Sequence, residues 1–149
     1  MYHTILIPLD GSSRAEAIIP HVEYLAETTG AVIVLLQVLE PAPIIAGPYD
    51  ARPLTTDPDE IEERLREIEQ YLSGWVEHFQ AKGIDARYRV AQGPIVQTII
   101  DTAANENAGL VAMASHGRSG LTRVFYGSVA AGVLQRIDRP LLLIRAQSA

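Results

Sequence analysis

Short continuous apolar runs along this chain alternate with longer stretches whose apolar residues recur every three or four positions. Ile5-Leu6-Ile7, with Pro8 and Gly11 behind it, is the first such run. It reads as a strand buried on both faces. Ser12 or Ser13 then caps a helix running to about Thr28, with Gly30 as its stop signal. Pro20 falls inside that span, where it is expected to remove a hydrogen bond and bend the helix. Val32–Val38 is the second buried strand. From Pro41 to Pro58 the texture changes, with prolines at 41, 43, 48, 53 and 58 and a glycine at 47. This reads as a long loop, and long loops in compact domains are usually functional lids or disordered segments.

Asp59–Lys82 carries the clearest helical signal: Ile61, Leu65, Ile68, Leu72, Trp75 or Val76, and Phe79 recur at helical spacing. Glu62, Glu63, Glu67 and Glu69 read as its wet side. The pattern is too short to prefer a coiled-coil seam over a helix on a sheet. Gly83 ends it. Ala86–Ala91 alternates weakly and reads as a third strand. Gly93-Pro94 opens a helix from Ile95 to about Asn107, with Pro94 suited to its first turn. Leu110–Ala114 is the fourth strand, Val129–Arg136 the last helix, and Leu141–Ile144 the last strand. Strict alternation of strands and helices predicts an α/β fold, a parallel sheet with helices on both faces. Right-handed crossovers leave few strand orders. In the common ones a ligand crevice lies beyond the strand C-termini at the point where the order reverses. Asp10-Gly11-Ser12 and the segment 114–128 both follow strand ends, so both are expected on one rim.

The segment 114–128 concentrates glycines (Gly117, Gly120, Gly127) where a strand hands over to a helix. Such a loop aims backbone N–H groups at one point, and the helix start behind it adds partial positive charge. A phosphate suits that environment. The alternative is a flexible connection whose glycines serve only turns. No Gly-x-x-x-x-Gly-Lys-Ser/Thr occurs, so no lysine is built in for terminal phosphates. Ser128 is placed either to cap the last helix or to hold a phosphate oxygen, and the two roles compete. Arg118 and Arg123 are either phosphate partners or solvated surface groups. Asp10 can bond a ribose hydroxyl or an exocyclic amine, or close an Asx-turn on the Gly11 and Ser12 amides. Both uses are compatible through different oxygens. His116 lies in the loop, within reach of a ligand. His3, His21, His78 and His116 form no metal-ligand spacing. Ser12, Ser13 and Ser119 lack a nucleophile elbow, and no catalytic triad is discernible.

The length of 149 residues fits one domain with its own core. A formal charge of −6 argues against nucleic-acid binding. The absence of cysteine removes disulfides, thiolate metal sites and cysteine nucleophiles, and fits a reducing compartment. No secretory pattern precedes the first strand. The longest apolar run, Ala31–Leu36, is far short of the roughly 18–20 residues needed to span a bilayer. A cytoplasmic protein with no membrane association is expected.

Taken together, these residues resemble the universal stress protein family over nearly the whole chain. Ile5-Leu-Ile-Pro-Leu-Asp10-Gly-Ser resembles its opening strand, Leu35-Leu-Gln-Val38 its second strand, and Gly93-Pro94 the turn into its third helix. Most specific is a resemblance to the family's Gly-x2-Gly-x9-Gly-Ser/Thr nucleotide signature, matched by Gly117, a nine-residue spacer, Gly127 and Ser128. Pro140-Leu-Leu-Leu-Ile resembles the closing strand. The resemblance implies an open five-stranded parallel sheet in the order 3-2-1-4-5, Rossmann-like, forming a single nucleotide-binding domain over residues 1–149. It implies a homodimer through the last strand, Leu141 to Ile144, which would otherwise be an exposed apolar edge. It also implies ATP, with Mg²⁺, as ligand. Asp10 and Val38 would lie at the purine end, Gly117 and Gly127 would let backbone approach ribose and phosphates, and Ser128 would hold a phosphate oxygen; Pro8, Leu9, Met113, Ala114, His116, Arg118, Gly120 and Val129 complete the implied binding site. Ala114 stands where the signature has its first glycine, which matters if that position needs a positive φ. The implied function is a dimeric ATP-binding sensor or regulator with unidentified protein partners and at most slow hydrolysis, residues 41–58 closing over the nucleotide. The alternatives are an interaction module of the same fold without nucleotide, and, well behind it, a phosphotransferase or nucleotidyl hydrolase of related fold.

Overall fold

The computed structural model describes residues 1–40, 57–117 and 127–147, with the side chains of 116, 117 and 147 outside that description. The expected loop over 41–58 therefore lies almost wholly outside the described residues. The elements run β1 (Thr4–Pro8), a 3₁₀ turn (Ala15–Ile18), α1 (Ile19–Thr29), β2 (Val32–Leu39), α2 (Pro58–Gln80), β3 (Ala86–Gln92), α3 (Ile95–Asn105), β4 (Leu110–Gly117), α4 (Ser128–Arg136) and β5 (Leu141–Gln147). The five strands form one sheet in the order β3-β2-β1-β4-β5, and every neighbouring pair is parallel.

Strand alternation distributes the core to both faces. Ile5 and Ile7 of β1, Ile33 and Leu35 of β2, and Leu110 and Ala112 of β4 pack with α1 and α2 through Val22, Leu72 and Phe79. Leu6, Val34, Leu36, Val111 and Met113 point the other way, onto Ile99 and Ala103 of α3 and Ala130 and Val133 of α4. Ile5, Leu6 and Ile7 are all fully buried. That is why the first strand reads as unbroken apolar sequence. The stripe on α2 is spent on the sheet, which settles the choice between a helix on a sheet and a coiled-coil seam.

The backbone ladder is uneven. β1 pairs with β2 at five positions, Thr4↔Val32 through Pro8↔Leu36. With β4 it pairs at Ile5↔Leu110 and Leu6↔Val111 and no further among the described residues. A seam therefore opens between β1 and β4 toward their C-termini. Two elements flank it from opposite faces. The 3₁₀ turn that follows β1 packs on β4 and β5, and α3 packs on both β2 and α4.

Several boundaries differ from expectation. The helix expected from Ser12 or Ser13 begins as the 3₁₀ turn, and α1 starts only at Ile19. Pro20 thus sits in the first turn of α1, a position that suits proline. Pro94 is the N-cap of α3 rather than a first-turn residue. β4 runs three residues past Ala114, to Gly117, because residues 114–117 pair with β5 from Ala114↔Ile144 to Gly117↔Gln147. β5 is longer than Leu141–Ile144 for the same reason.

Charged contacts tie the helices to each other and to the sheet. Glu23 of α1 meets His78 and, at 3.2 Å, Lys82. Burial alone would raise the Glu23 pKa, but the hydrogen bonds and charges of His78 and Lys82 outweigh it and the net direction is down. Glu106, at the end of α3, takes Arg87 at 2.7 Å and Arg89 at 2.5 Å from β3. Those two bonds hold its pKa below the ordinary carboxylate range against a smaller opposing effect of burial. A carboxylate with a depressed folded-state pKa contributes stability above its unfolded pKa, and that contribution is lost as pH falls through the folded value. Glu106→Gln is therefore expected to lower the urea midpoint at pH 7, with the gap to wild type closing below about pH 4. Urea titrations at pH 7, 5 and 3 check this, and a gap independent of pH would contradict it.

Candidate functional site

The end of β1 is organised by Asp10. Its Oδ1 accepts both the Ser12 N–H, at 2.9 Å, and the Ser12 hydroxyl, at 2.5 Å. Ser12 Oγ in turn accepts the Ala15 N–H at 3.1 Å, starting the 3₁₀ turn. Gly11 bends the chain there with φ at 85°, a value that suits glycine. The Asx-turn expected at this point forms, and it uses one carboxylate oxygen. Oδ2 has no partner among the described residues.

On the other side of the seam, Gly127 is the N-cap of α4 at φ 73° and ψ 147°. That conformation is essentially restricted to glycine. Of the two roles open to Ser128, capping is not seen: it is the first helical residue, exposed, and no side chain among the described residues caps this helix. Its hydroxyl is thereby released from the competition with capping. The first amides of α4 have no carbonyl of their own turn to bond, and the positive end of the helix dipole lies at the same place.

Between these ends lies a crevice of about 150 Å³. Of the residues expected at a ligand site, Pro8, Leu9, Asp10, Val38, Met113, Ala114, Gly127, Ser128 and Val129 all line it. Gly117 and His116 lie in the β4–β5 ladder, and their side chains are not described. Arg118 and Gly120, with Arg123, fall outside the described residues. Sequence reasoning missed Arg14, Ala15, Leu36, Ile95, Ile99 and Ala130. Leu36 is recoverable as the same-face neighbour of Val38 on a strand. Ile95 and Ile99 are one helical turn apart. Arg14 and Ala15 carry no local signal, because only the 3₁₀ turn brings them over the rim.

Ala114 carries no strain at the position where the resemblance has glycine. Among the described non-glycine residues only Asn107 has a positive φ, and Ala114 pairs regularly with Ile144. Ser115, almost fully buried, donates its hydroxyl to the Ile144 carbonyl at 3.2 Å and so belongs to the ladder, not the crevice.

The crevice has an apolar floor of Leu36, Val38, Ile99 and Met113 and a polar group at each end. That is the composition of a small-molecule site. A broader depression of about 540 Å³ lies on the opposite face, lined by Gln37, Glu40, Arg64, Glu67 and Tyr71, and it shares Asp10 with the crevice. Its walls carry more charge than the crevice, alongside Val38, which the two also share, Leu39 and Ile68. Tyr71 there donates to Glu16 on the 3₁₀ turn, and burial together with that bond raises its pKa. No cluster of acidic or histidine residues among the described ones has metal-binding geometry. No described helix is long and apolar enough to cross a membrane.

Residues 1–145 match the universal stress protein family. The chain belongs to that family. Universal stress protein MJ0577 of Methanocaldococcus jannaschii is 24% identical over an alignment spanning 100% of this chain and 98% of the relative. The solved structure of MJ0577 superposes with a TM-score of 0.80 at 22% identity, covering 100% of this chain and 99% of that one. A universal stress protein solved in complex with cAMP has a TM-score of 0.65 at 21% identity, covering 98% of each chain. The Archaeoglobus fulgidus family member solved with dAMP has a TM-score of 0.65 at 21% identity, covering 96% of this chain and 98% of that one. At these identities the structural likeness establishes the shared fold. Some family members thus bind adenine nucleotides, and the strand order expected for the family is the one found here.

Within this family member, Gly127 makes the turn into α4 possible. Gly127→Ala would force a Cβ into a backbone region that L-residues avoid. It is expected to cost about 1–3 kcal/mol of stability, measurable as a lowered urea midpoint with an unchanged slope. An unaltered midpoint would mean that the turn relaxes without penalty.

Proposed function

We propose that this universal stress protein binds ATP in the crevice between β1 and β4, with Mg²⁺ carried on the phosphates, and works as a dimeric cytoplasmic sensor or regulator. The observation that carries the reading is the meeting of Asp10 and the Gly127–Ser128 start of α4 across one apolar-floored crevice. The base lies on Val38, Leu36 and Met113. The unengaged Oδ2 of Asp10 is suited to a ribose hydroxyl or an exocyclic amine. The α4 amides and the free Ser128 hydroxyl suit phosphate oxygens. Nucleotide complexes of two relatives support an adenine nucleotide as the ligand class. A P-loop lysine is missing from the sequence and no general base is evident, so turnover is slow at most. Signalling then passes through protein partners that respond to the bound state.

Calorimetric titration with ATP and Mg²⁺ tests the ligand. Saturable binding is expected, with Ser128→Ala weakening it about 10-fold or more, the loss typical of one hydrogen bond to a charged group. Ala114→Gly is expected to change affinity less than about threefold, as Ala114 sits in regular strand backbone. Absence of heat and of any melting shift at millimolar ATP would favour the interaction module without nucleotide.

The dimer rests on β5, an edge strand whose residues Leu141, Leu142, Leu143 and Ile144 remain partly exposed. Apolar strand edges invite pairing with another chain. Light scattering is expected to give twice the chain mass at micromolar concentration, and a monomer would remove the dimeric part of the reading.

A further inference from the structure

We propose that Arg14 reads the length of the phosphate chain, making the crevice selective for nucleoside triphosphates over monophosphates. This rests on the reading of the crevice as a nucleotide site. Arg14 directly precedes the 3₁₀ turn, which crosses the end of β1 and packs on β4 and β5. That path carries Arg14 to the crevice wall from the α1–α2 face of the sheet, while Gly127, Ser128 and Val129 reach the same crevice from the α3–α4 face. Arg66, Arg87 and Arg89 are committed to glutamates. Arg14 is exposed, and its guanidinium has no hydrogen bond or ion pair among the described residues, although its carbonyl accepts the Ala17 N–H at 3.2 Å.

Asp10 and Arg14 are the charged groups among the described lining residues. No ion pair joins them among the described residues. The crevice therefore offers a free guanidinium on one wall and a helix start with a free hydroxyl on the other. A single phosphate engaged at the start of α4 leaves the guanidinium unsatisfied. A chain of phosphates spans from one wall to the other, and a guanidinium receives phosphate oxygens in a bidentate fork that a neutral side chain cannot reproduce. Arg14 thus supplies the terminal-phosphate cation that the missing P-loop lysine leaves wanting.

The test is calorimetry of ATP and AMP, each with Mg²⁺, on wild type, Arg14→Gln and Arg14→Lys. Arg14→Gln is expected to weaken ATP about 10-fold or more, the loss of a charge-assisted bond, and AMP less than about threefold. Arg14→Lys should fall between wild type and Arg14→Gln for ATP, since it keeps the charge and loses the fork. The unliganded melting temperature should not change. Equal loss of ATP and AMP, or undiminished ATP binding in Arg14→Gln, overturns the assignment of Arg14. Wild type that binds neither nucleotide overturns the nucleotide reading itself, a result distinct from both.

Discussion

Parallel strands cannot be joined by a hairpin, so each connection must leave the C-terminal end of one strand, cross a face and return to the start of the next. Here the crossovers through α1 and α2 take one face and those through α3 and α4 take the other. The direction of travel reverses between β1 and β4. β1 therefore leads to α1 on one face and β4 to α4 on the other, and the crevice lies at the strand ends between them. Its two polar ends follow from the same constraint: Asp10 terminates the strand on one side, and Gly127 starts the returning helix on the other.

Holding that arrangement falls to contacts between elements far apart in sequence. Glu23 with His78 and Lys82 joins α1 to α2. Tyr71 binds Glu16 on the 3₁₀ turn, which fixes the long helix against the segment that carries Arg14. On the opposite face Arg139 donates to the carbonyls of Ala103 and Ala108, each at 3.0 Å, and secures the end of α3 before β5 begins. Each contact acts on an element that forms a wall of the crevice or lies next to one.

The strands and helices were legible because strands buried on both faces read as unbroken apolar runs and α2 keeps a single apolar stripe. The rim was legible from Asp10-Gly11-Ser12 and Gly127-Ser128. The residues alone left several strand orders open, and the resemblance chose among them. Residues 115–117 were not legible as strand: Ser115, His116 and Gly117 lack an apolar pattern, and pairing with β5, a long-range contact, decides their conformation. Pro20 misled because the rule about interior prolines depends on where the helix starts, and the 3₁₀ turn moves that start to Ile19. Arg14 was invisible for a related reason, as nothing in its neighbourhood announces that the turn brings it to the crevice.

The seam between β1 and β4 has a mechanical meaning. Elsewhere the sheet is held by hydrogen bonds, which are either made or broken and give a fixed strand spacing near 4.8 Å. Past Leu6↔Val111 no ladder pairing joins the two strands among the described residues, and their separation rests on packing by the flanking elements, the 3₁₀ turn against β4 and β5 and α3 against β2 and α4. Contacts of that kind yield gradually, each bridging atom pair contributing a small share of the restoring force. The crevice is the compliant line in an otherwise stiff sheet, and its gauge is a property of packing volume at positions such as Ile99, Ala15 and Ala130 rather than of the backbone.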